Sequence, residues 1–288
     1  MIVSRIYGGM GNQMFQYAYG RMLAHKHRSL YKIYFDDCGF GWAEHSKKLT
    51  LTKFNIEAEI ATEQDRAKFI CDSPNKLKRA IHKLGRLVKG LHYVGDGARV
   101  HDYHYEALNA PDNSYTDGFW QSEIYFESIA SQIRKEFSIK APLSDHGKQM
   151  ELQIKACNSI SMHVRRGDYL EQTQVYWICD VEYYRRALQE LKKKVWDPTV
   201  FVFSNDASWV KENMKFDVPV VVVEHTQAHE DMHLMSCCQH NISSNSTFGW
   251  WGAWLNSNPD KLVVLPKRWL TDETIDTTHY TAKGWLRI

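Results

Sequence analysis

The chain has 288 residues, 43% of them apolar and 24% charged, with a formal net charge of +2. These are values of a globular chain large enough for two domains. So slight a basic excess argues against a nucleic-acid binder but admits an anionic small ligand, and no run approaches 18 uncharged apolar residues, so no membrane span is expected.

The chain opens on a strand, Ile2 to Tyr7, without a charged leader, which makes a cytosolic protein the default expectation. "GGMGNQMFQYA" (8–18) follows as a glycine turn into a helix from about Gln13 to His27, where a phosphate or sugar can meet backbone N–H groups. As a dinucleotide fingerprint it is imperfect. Gly9 and Gly11 fit, but Met14 occupies the third position, where close helix–strand packing needs a small residue. Asp36 and Asp37 end the next strand, "LYKIYF" (30–35), so an NAD-dependent oxidoreductase is one reading. A tight structural turn is another, and Asn12 and Gln13 favour bonding to a ligand.

Residues 38–110 read as irregular, with one exception. "NKLKRAIHKLGRLVKGL" (75–91) sets Leu77, Ile81, Leu84, Val88 and Leu91 on one helical stripe amid six lysines and arginines, with no acid between Ser73 and Val94. Either this is a solvated face or a peripheral membrane contact on an anionic bilayer. A short strand, an aromatic loop and a helix span 115–137. "SIKAPLSDHGKQ" (138–149) reads as the linker, which puts the domains at 1–145 and 146–288.

The second half alternates cleanly. Strands are expected at 159–164, 199–204, 218–224, 240–244 and 261–266, and helices near 180–194, 206–214, 228–238 and 246–256. Continuous apolar strands between helices mean a parallel sheet covered on both faces, whose ligands bind beyond the carboxyl ends of the strands. Three polar clusters fall at those ends: "HVRRGDY" (163–169), "FSND" (203–206) and "SSNSTFGWWG" (243–252).

Arginine suits diphosphate oxygens, because its planar fork donates two parallel hydrogen bonds and stays charged. Arg165 and Arg166 beside a single local acid, Asp168, leave positive charge to spare. Ser246 and Thr247 at a helix N-terminus make a second anion cradle. Trp250, Trp251 and Trp254 read as packing. Asp231 either caps a helix or accepts from a guanine edge. His225, His229 and His233 recur every four residues but straddle a strand end and a helix start, so no metal site is expected. The six cysteines show no C-x-x-C and no zinc spacing, and reduced thiols are expected. Ten tryptophans could suit a carbohydrate-binding module, which would explain neither the arginines nor the parallel sheet.

Taken together, "GGMGNQMFQYA", "GFWQSEIYF" (118–126), "HVRRGDY", "VFSND" (202–206), "EDMHLMS" (230–236) and "SSNSTFGWWGAWLN" (243–256) resemble the bacterial alpha-1,2-fucosyltransferase family, in order and nearly end to end. The resemblance implies an α/β, GT-B architecture of two Rossmann-like domains facing a cleft. It implies an inverting glycosyltransferase that moves L-fucose from GDP-beta-L-fucose to the 2-hydroxyl of a terminal galactose in an oligosaccharide or surface-polysaccharide precursor. The donor GDP-fucose would sit on the second domain. The galactose-terminated glycan acceptor, free or lipid-linked, would sit mainly on the first, near Gly9, Gly11, Asn12 and Gln13. Arg165 would neutralise the diphosphate, and Asp168 would act as base or orient an arginine. His163 and Asp231 would contact guanine or ribose, and Ser246 and Thr247 the phosphates, with Arg166, Asp206 and Asn245 completing the donor side. The chain departs from the family pattern at Ser244, often alanine, and at Thr247 and Gly249, often serine. No D-x-D triplet occurs, so no metal or other cofactor is expected. No nucleic acid is expected either. The enzyme would work in the cytoplasm, or peripherally on the inner face of the membrane.

Overall fold

The structure is a computed structural model that describes residues 1–36, 48–97 and 100–288; Asp37 and Cys38 lie outside them. The first compact unit is Met1–Glu136. It runs β1 (Ile2–Ile6), α1 (Met10–His27), β2 (Tyr31–Phe35), β3 (Glu59–Ile60), α2 (Glu63–Ala67), α3 (Lys76–Val88), β4 (His92–Gly95), β5 (Ser114–Asp117) and α4 (Ala130–Glu136). Its five strands pair in parallel in the order β3-β2-β1-β5-β4. The expectation of irregular chain over 38–110 is therefore corrected by β3, α2 and β4. Each is five residues or shorter, too short to display a period in the sequence.

Helix α1 lies close against β1, and the residue that permits this is Gly20. A Cβ there would sit 1.9 Å from the Ser4 hydroxyl oxygen and 2.8 Å from that of Tyr31. Met14, at the fingerprint's third glycine position, is wholly buried in the core. The small residue is thus present, but six residues further along the helix.

The second unit, Phe137–Ile288, continues with α5 (Asp145–Lys155), β6 (Asn158–Val164), α6 (Gly167–Leu170), α7 (Val181–Lys192), β7 (Pro198–Ser204) and α8 (Ala207–Asn213). It is completed by β8 (Val220–Val223), α9 (Ala228–Cys237), β9 (His240–Ile242), α10 (Thr247–Leu255), β10 (Val263–Leu265) and β11 (Leu286–Arg287). All six strands are parallel, in the order β11-β10-β9-β6-β7-β8.

The boundary falls nine residues before the expected one because the supposed linker is packed into this unit. Phe137 meets Trp251 edge-on with centroids 5.1 Å apart. Ser144 caps α5 by accepting from the Gly147 N–H, and its own N–H donates to the buried Glu230 carboxylate at 2.6 Å.

Strand β6 shows how the sheet is covered. Ile160, Met162 and Val164 join a core with Tyr184, Leu188 and Val210 from α7 and α8. The alternate residues Ser159, Ser161 and His163 are also buried, but they face polar partners: Ser161 accepts from Asn241 at 2.7 Å, and His163 meets Ser244. Trp250, Trp251 and Trp254 pack against one another, fully buried, as expected. The five described cysteines are free thiols. Among the described residues no helix is long and apolar enough to cross a membrane.

Candidate active site

In the second sheet the chain steps from β6 outward to β7 and β8, then returns to lay β9 on the other side of β6. Neighbouring strands whose connections leave in opposite directions open a crevice at their carboxyl ends, where open α/β sheets hold ligands. Here those ends are Val164–Arg165 and Ile242–Ser243, so "HVRRGDY" and "SSNSTFGWWG" flank the crevice.

Arg165 is partly exposed. Its Nη2 donates to Asp168 Oδ2 at 2.8 Å, and its guanidinium lies 5.5 Å from the Tyr169 ring centroid. Two buried polar atoms of this pair have no partner: Arg165 Nε and Asp168 Oδ1. A buried N–H of a charged group without an acceptor is costly unless a ligand supplies one.

Arg166 stands differently. It lies over Trp209 at 3.7 Å and donates from Nε to Asp206 at 3.3 Å. Asp206 also caps α8 by accepting from the Trp209 N–H. The spare positive charge expected from two arginines and one acid is corrected: Asp206, 40 residues along the chain, supplies the second carboxylate. Arg166 and Asp206 knit β6 to β7, which leaves Arg165 with the unsatisfied donor.

His163 is buried, and burial together with the nearby Arg165 charge pushes its pKa down to about 3, so its imidazole is neutral. Its Nδ1 shares a 3.0 Å hydrogen bond with the Ser244 hydroxyl. Gly249 fits against this pair. A Cβ there would lie 2.3 Å from Ser243 Oγ and 2.7 Å from His163 Nδ1. The departure from serine at 249 thus goes with a serine and a histidine filling the same space.

Ser246 precedes α10 and its side chain does not cap it; the first-turn N–H groups, at the positive end of the helix dipole, begin at Thr247. Asn245 has a framework role. Its amide donates to the Trp177 and Trp269 carbonyls, both at 2.7 Å, and its oxygen accepts from the Cys179 thiol.

Asp231 does not cap α9. Glu230 does, accepting from the Gln227 N–H at 3.0 Å. Asp231 is instead held by the Thr226 hydroxyl, and burial pushes its pKa up to about 6. A buried carboxylate with a raised pKa at a sheet rim is a candidate for recognition.

In the first unit Gln13 is wholly buried and fully bonded, which corrects the expectation that it reaches a ligand. Its amide donates to the Gly8 and Lys48 carbonyls and accepts from the Thr50 N–H and hydroxyl. Asn12 accepts from Gln121 at 3.0 Å. Gly9 starts α1 with no side-chain cap, and Gly11 lies buried in its first turn. Asp36, the ribose partner in an NAD reading, is held by Arg5 at 2.6 Å, and the same guanidinium binds Asp117. Sequence reasoning missed this rim, where Asp96 also sits with its pKa pushed up by burial. The signal was an acid closing each of two short strands, in "YTD" (115–117) and "VGD" (94–96).

Among the described residues Glu151, His233 and Cys237 form a cluster that could hold a metal ion. The histidine spacing did not show it, because Glu151 comes from a different helix. The cluster sits where α5 and α9 lead into the amino ends of β6 and β9, opposite the crevice, and Lys155 already pairs with Glu151 at 2.8 Å.

The family model for glycosyl transferase family 11 matches residues 92–288. An alpha-1,2-colitosyltransferase of Escherichia coli is 30% identical over 100% of this chain and 99% of its own. The O-antigen biosynthesis glycosyltransferase WbnK of Escherichia coli is 28% identical over 98% of both. Human galactoside alpha-(1,2)-fucosyltransferase 1 is 29% identical over 48% of this chain and 42% of its own. Among solved structures, POFUT1 in complex with GDP aligns with TM-score 0.51 and 12% identity, covering 92% of this chain and 97% of that one. NodZ alpha-1,6-fucosyltransferase co-crystallized with GDP gives 0.50 and 16%, covering 87% and 90%. These likenesses show the α/β, GT-B fold expected from the sequence, and nothing in them supports an NAD-dependent oxidoreductase. The family match, and a relative alike along the whole chain, make this protein a member of glycosyl transferase family 11, the alpha-1,2-fucosyltransferase family.

Proposed function

We propose that the protein is an inverting galactoside alpha-1,2-fucosyltransferase that uses GDP-beta-L-fucose and serves O-antigen or related surface-glycan assembly. The observation that carries this reading is the unsatisfied Arg165 Nε–H at the switch-point crevice, on the strand end next to the N-terminus of α10. Both features offer donors to an anion, as a nucleoside diphosphate requires.

In the reaction the galactose 2-hydroxyl oxygen bonds to the fucose anomeric carbon as the bond from that carbon to the phosphate oxygen breaks. GDP leaves with the electron pair, and the hydroxyl proton passes to a base. Arg165 and the first turn of α10, with Ser246 and Thr247, stabilise the charge that gathers on the diphosphate. Asp168 holds Arg165 through Oδ2 and has Oδ1 free to accept the proton. The transition state is oxocarbenium-like, so weak base assistance suffices. Asp231 accepts from the guanine edge, and neutral His163 fixes Ser244 behind the cradle. Arg166, Asp206 and Asn245 hold the frame. The turn at Gly9, Gly11 and Asn12 serves the acceptor. Positive charge comes from arginine and helix N-termini, and no divalent ion enters the scheme.

The full-length relative named for colitose favours a second reading of the donor sugar: the same chemistry with a colitose donor. Turnover of the two donors on a panel of terminal galactosides separates them. GDP at a hundred times its dissociation constant should stabilise the fold by about 2.7 kcal/mol, and NAD should not. A protein that GDP leaves unstabilised would overturn the donor assignment.

A further inference from the structure

Helix α3 is amphipathic the wrong way round for a helix packed on its own unit. None of its 13 residues is buried. Leu77, Ile81, Leu84 and Val88 are 67%, 63%, 65% and 81% exposed. With about 100° between successive residues, these four fall within one narrow stripe. His82 and Arg86 lie on the opposite side, and they tie the helix to its unit. His82 Nε2 bonds the Ala67 carbonyl at 2.9 Å, Arg86 donates to the Phe69 carbonyl, and the Arg86 guanidinium lies over Tyr93. The polar side is the anchored side, and the apolar stripe faces solvent.

Arg79 lies on the anchored side with Arg86, and the four lysines flank the stripe. Lys78 and Lys89 lie to one side of it, and Lys76 and Lys83 to the other, each roughly 90–130° from its centre. No carboxylate occurs from Ser73 to Gly95. Asp72, at one border, is already paired with Arg66 at 2.5 Å.

We propose that α3 is a membrane-docking surface that seats the enzyme on an anionic lipid bilayer. The apolar stripe enters the headgroup–acyl boundary, and the lysines on either flank meet lipid phosphates at the level where they lie. A second copy of the chain fits worse, because a two-fold contact through the stripe would bring the same lysines against each other. The stripe is about 20 Å long, enough for one interfacial helix and too short to span. The inference does not depend on which sugar the enzyme transfers.

The test uses the full chain with vesicles of phosphatidylglycerol in phosphatidylcholine, and of phosphatidylcholine alone. The protein should sediment with the anionic vesicles at low salt and be released as ionic strength rises. A variant carrying Leu77→Gln, Ile81→Gln and Leu84→Gln should lose binding even at low salt. Changing Lys78, Lys83 and Lys89 to glutamine should weaken partitioning about fivefold per residue, roughly a hundredfold together. Both variants should keep wild-type turnover on a soluble galactoside, since no residue changed belongs to the catalytic or donor site. Wild-type protein that ignores anionic vesicles at low salt overturns the proposal, as does a stripe variant that still binds. A vesicle-independent dimer abolished by the stripe variant would assign the face to a second copy and overturn it equally.

Discussion

Arg165→Lys is the substitution that most directly tests the donor site. The wild-type guanidinium binds Asp168 through Nη2 and still has a buried, acceptorless Nε–H. Lysine has one nitrogen at the end of a flexible stem, so it can hold Asp168 or reach a diphosphate oxygen but cannot serve both from fixed positions. The loss is at least one charge-assisted hydrogen bond, about 1.5–3 kcal/mol, or roughly 10- to 150-fold in rate. Removing a donor aimed at developing charge costs about a hundredfold or more in comparable sites, so the upper half of that range is expected. Continuous measurement of GDP release, with donor and a soluble galactoside each varied, reads the effect. It should fall mainly on kcat, because charge on the leaving oxygen grows only as the bond breaks. Fold stability should hardly change, since the Arg165–Asp168 pair is partly exposed and such pairs contribute about 0–1 kcal/mol. Near-wild-type kcat/KM in a folded Arg165→Lys protein would refute the assignment of Arg165 to the diphosphate.

Gly249→Ala pushes a methyl group against Ser243 and His163; overpacking of about 1–3 kcal/mol should lower the melting temperature of the second unit by about 3–10 °C, and an unchanged melting curve would contradict the packing described. Activity should survive excess EDTA; loss on chelation with rescue by magnesium or manganese would reveal a metal role. Asp231→Asn should stabilise the protein at neutral pH. The Asp231 pKa is raised to about 6 in the folded chain, so the native state binds more protons than the unfolded state between about pH 4 and 6, and stability falls as pH rises through that window. The variant should flatten that slope by up to about 3 kcal/mol while weakening GDP; an unaltered pH profile would show that Asp231 is not the perturbed group.

The sequence revealed most where burial leaves a pattern. Strands β6 and β7 are covered on both faces and read as continuous apolar runs between helices, so the alternation from β6 to β10 was legible, while α5, over the supposed linker, α6 and β11 were not. Strands β3 and β4, of two and four residues, carry no such run and were missed. Side-chain roles were harder to read, because donor and acceptor chemistry looks alike whether it serves a ligand or the chain. The Gln13 amide had the chemistry to bind a sugar, yet it ties residues 48–50 to the glycine turn. Arg166 looked like spare charge because Asp206 and Trp209 lie too far along the chain to be counted as neighbours. Exposure was invisible altogether. The stripe on α3 has a pattern that serves a core as well as a surface, and only the fold shows that it faces outward.

The bond between His163 and Ser244 joins residues 81 positions apart, and this bears on the order of folding. Strand β6 can pair with β7 from Asn158 to Val164 as soon as residue 204 has been synthesised. Its other edge stays open until β9 arrives, and such an edge invites pairing with foreign chains. The buried Ser159, Ser161 and His163 side chains make that waiting strand less apolar on one face. Because β9 and α10 come late, the crevice between β6 and β9 is assembled last, and a chain stalled or cut after β8 would have much of its secondary structure and no crevice. A ligand seated in that crevice would therefore report that the second unit has folded as far as β9 and α10.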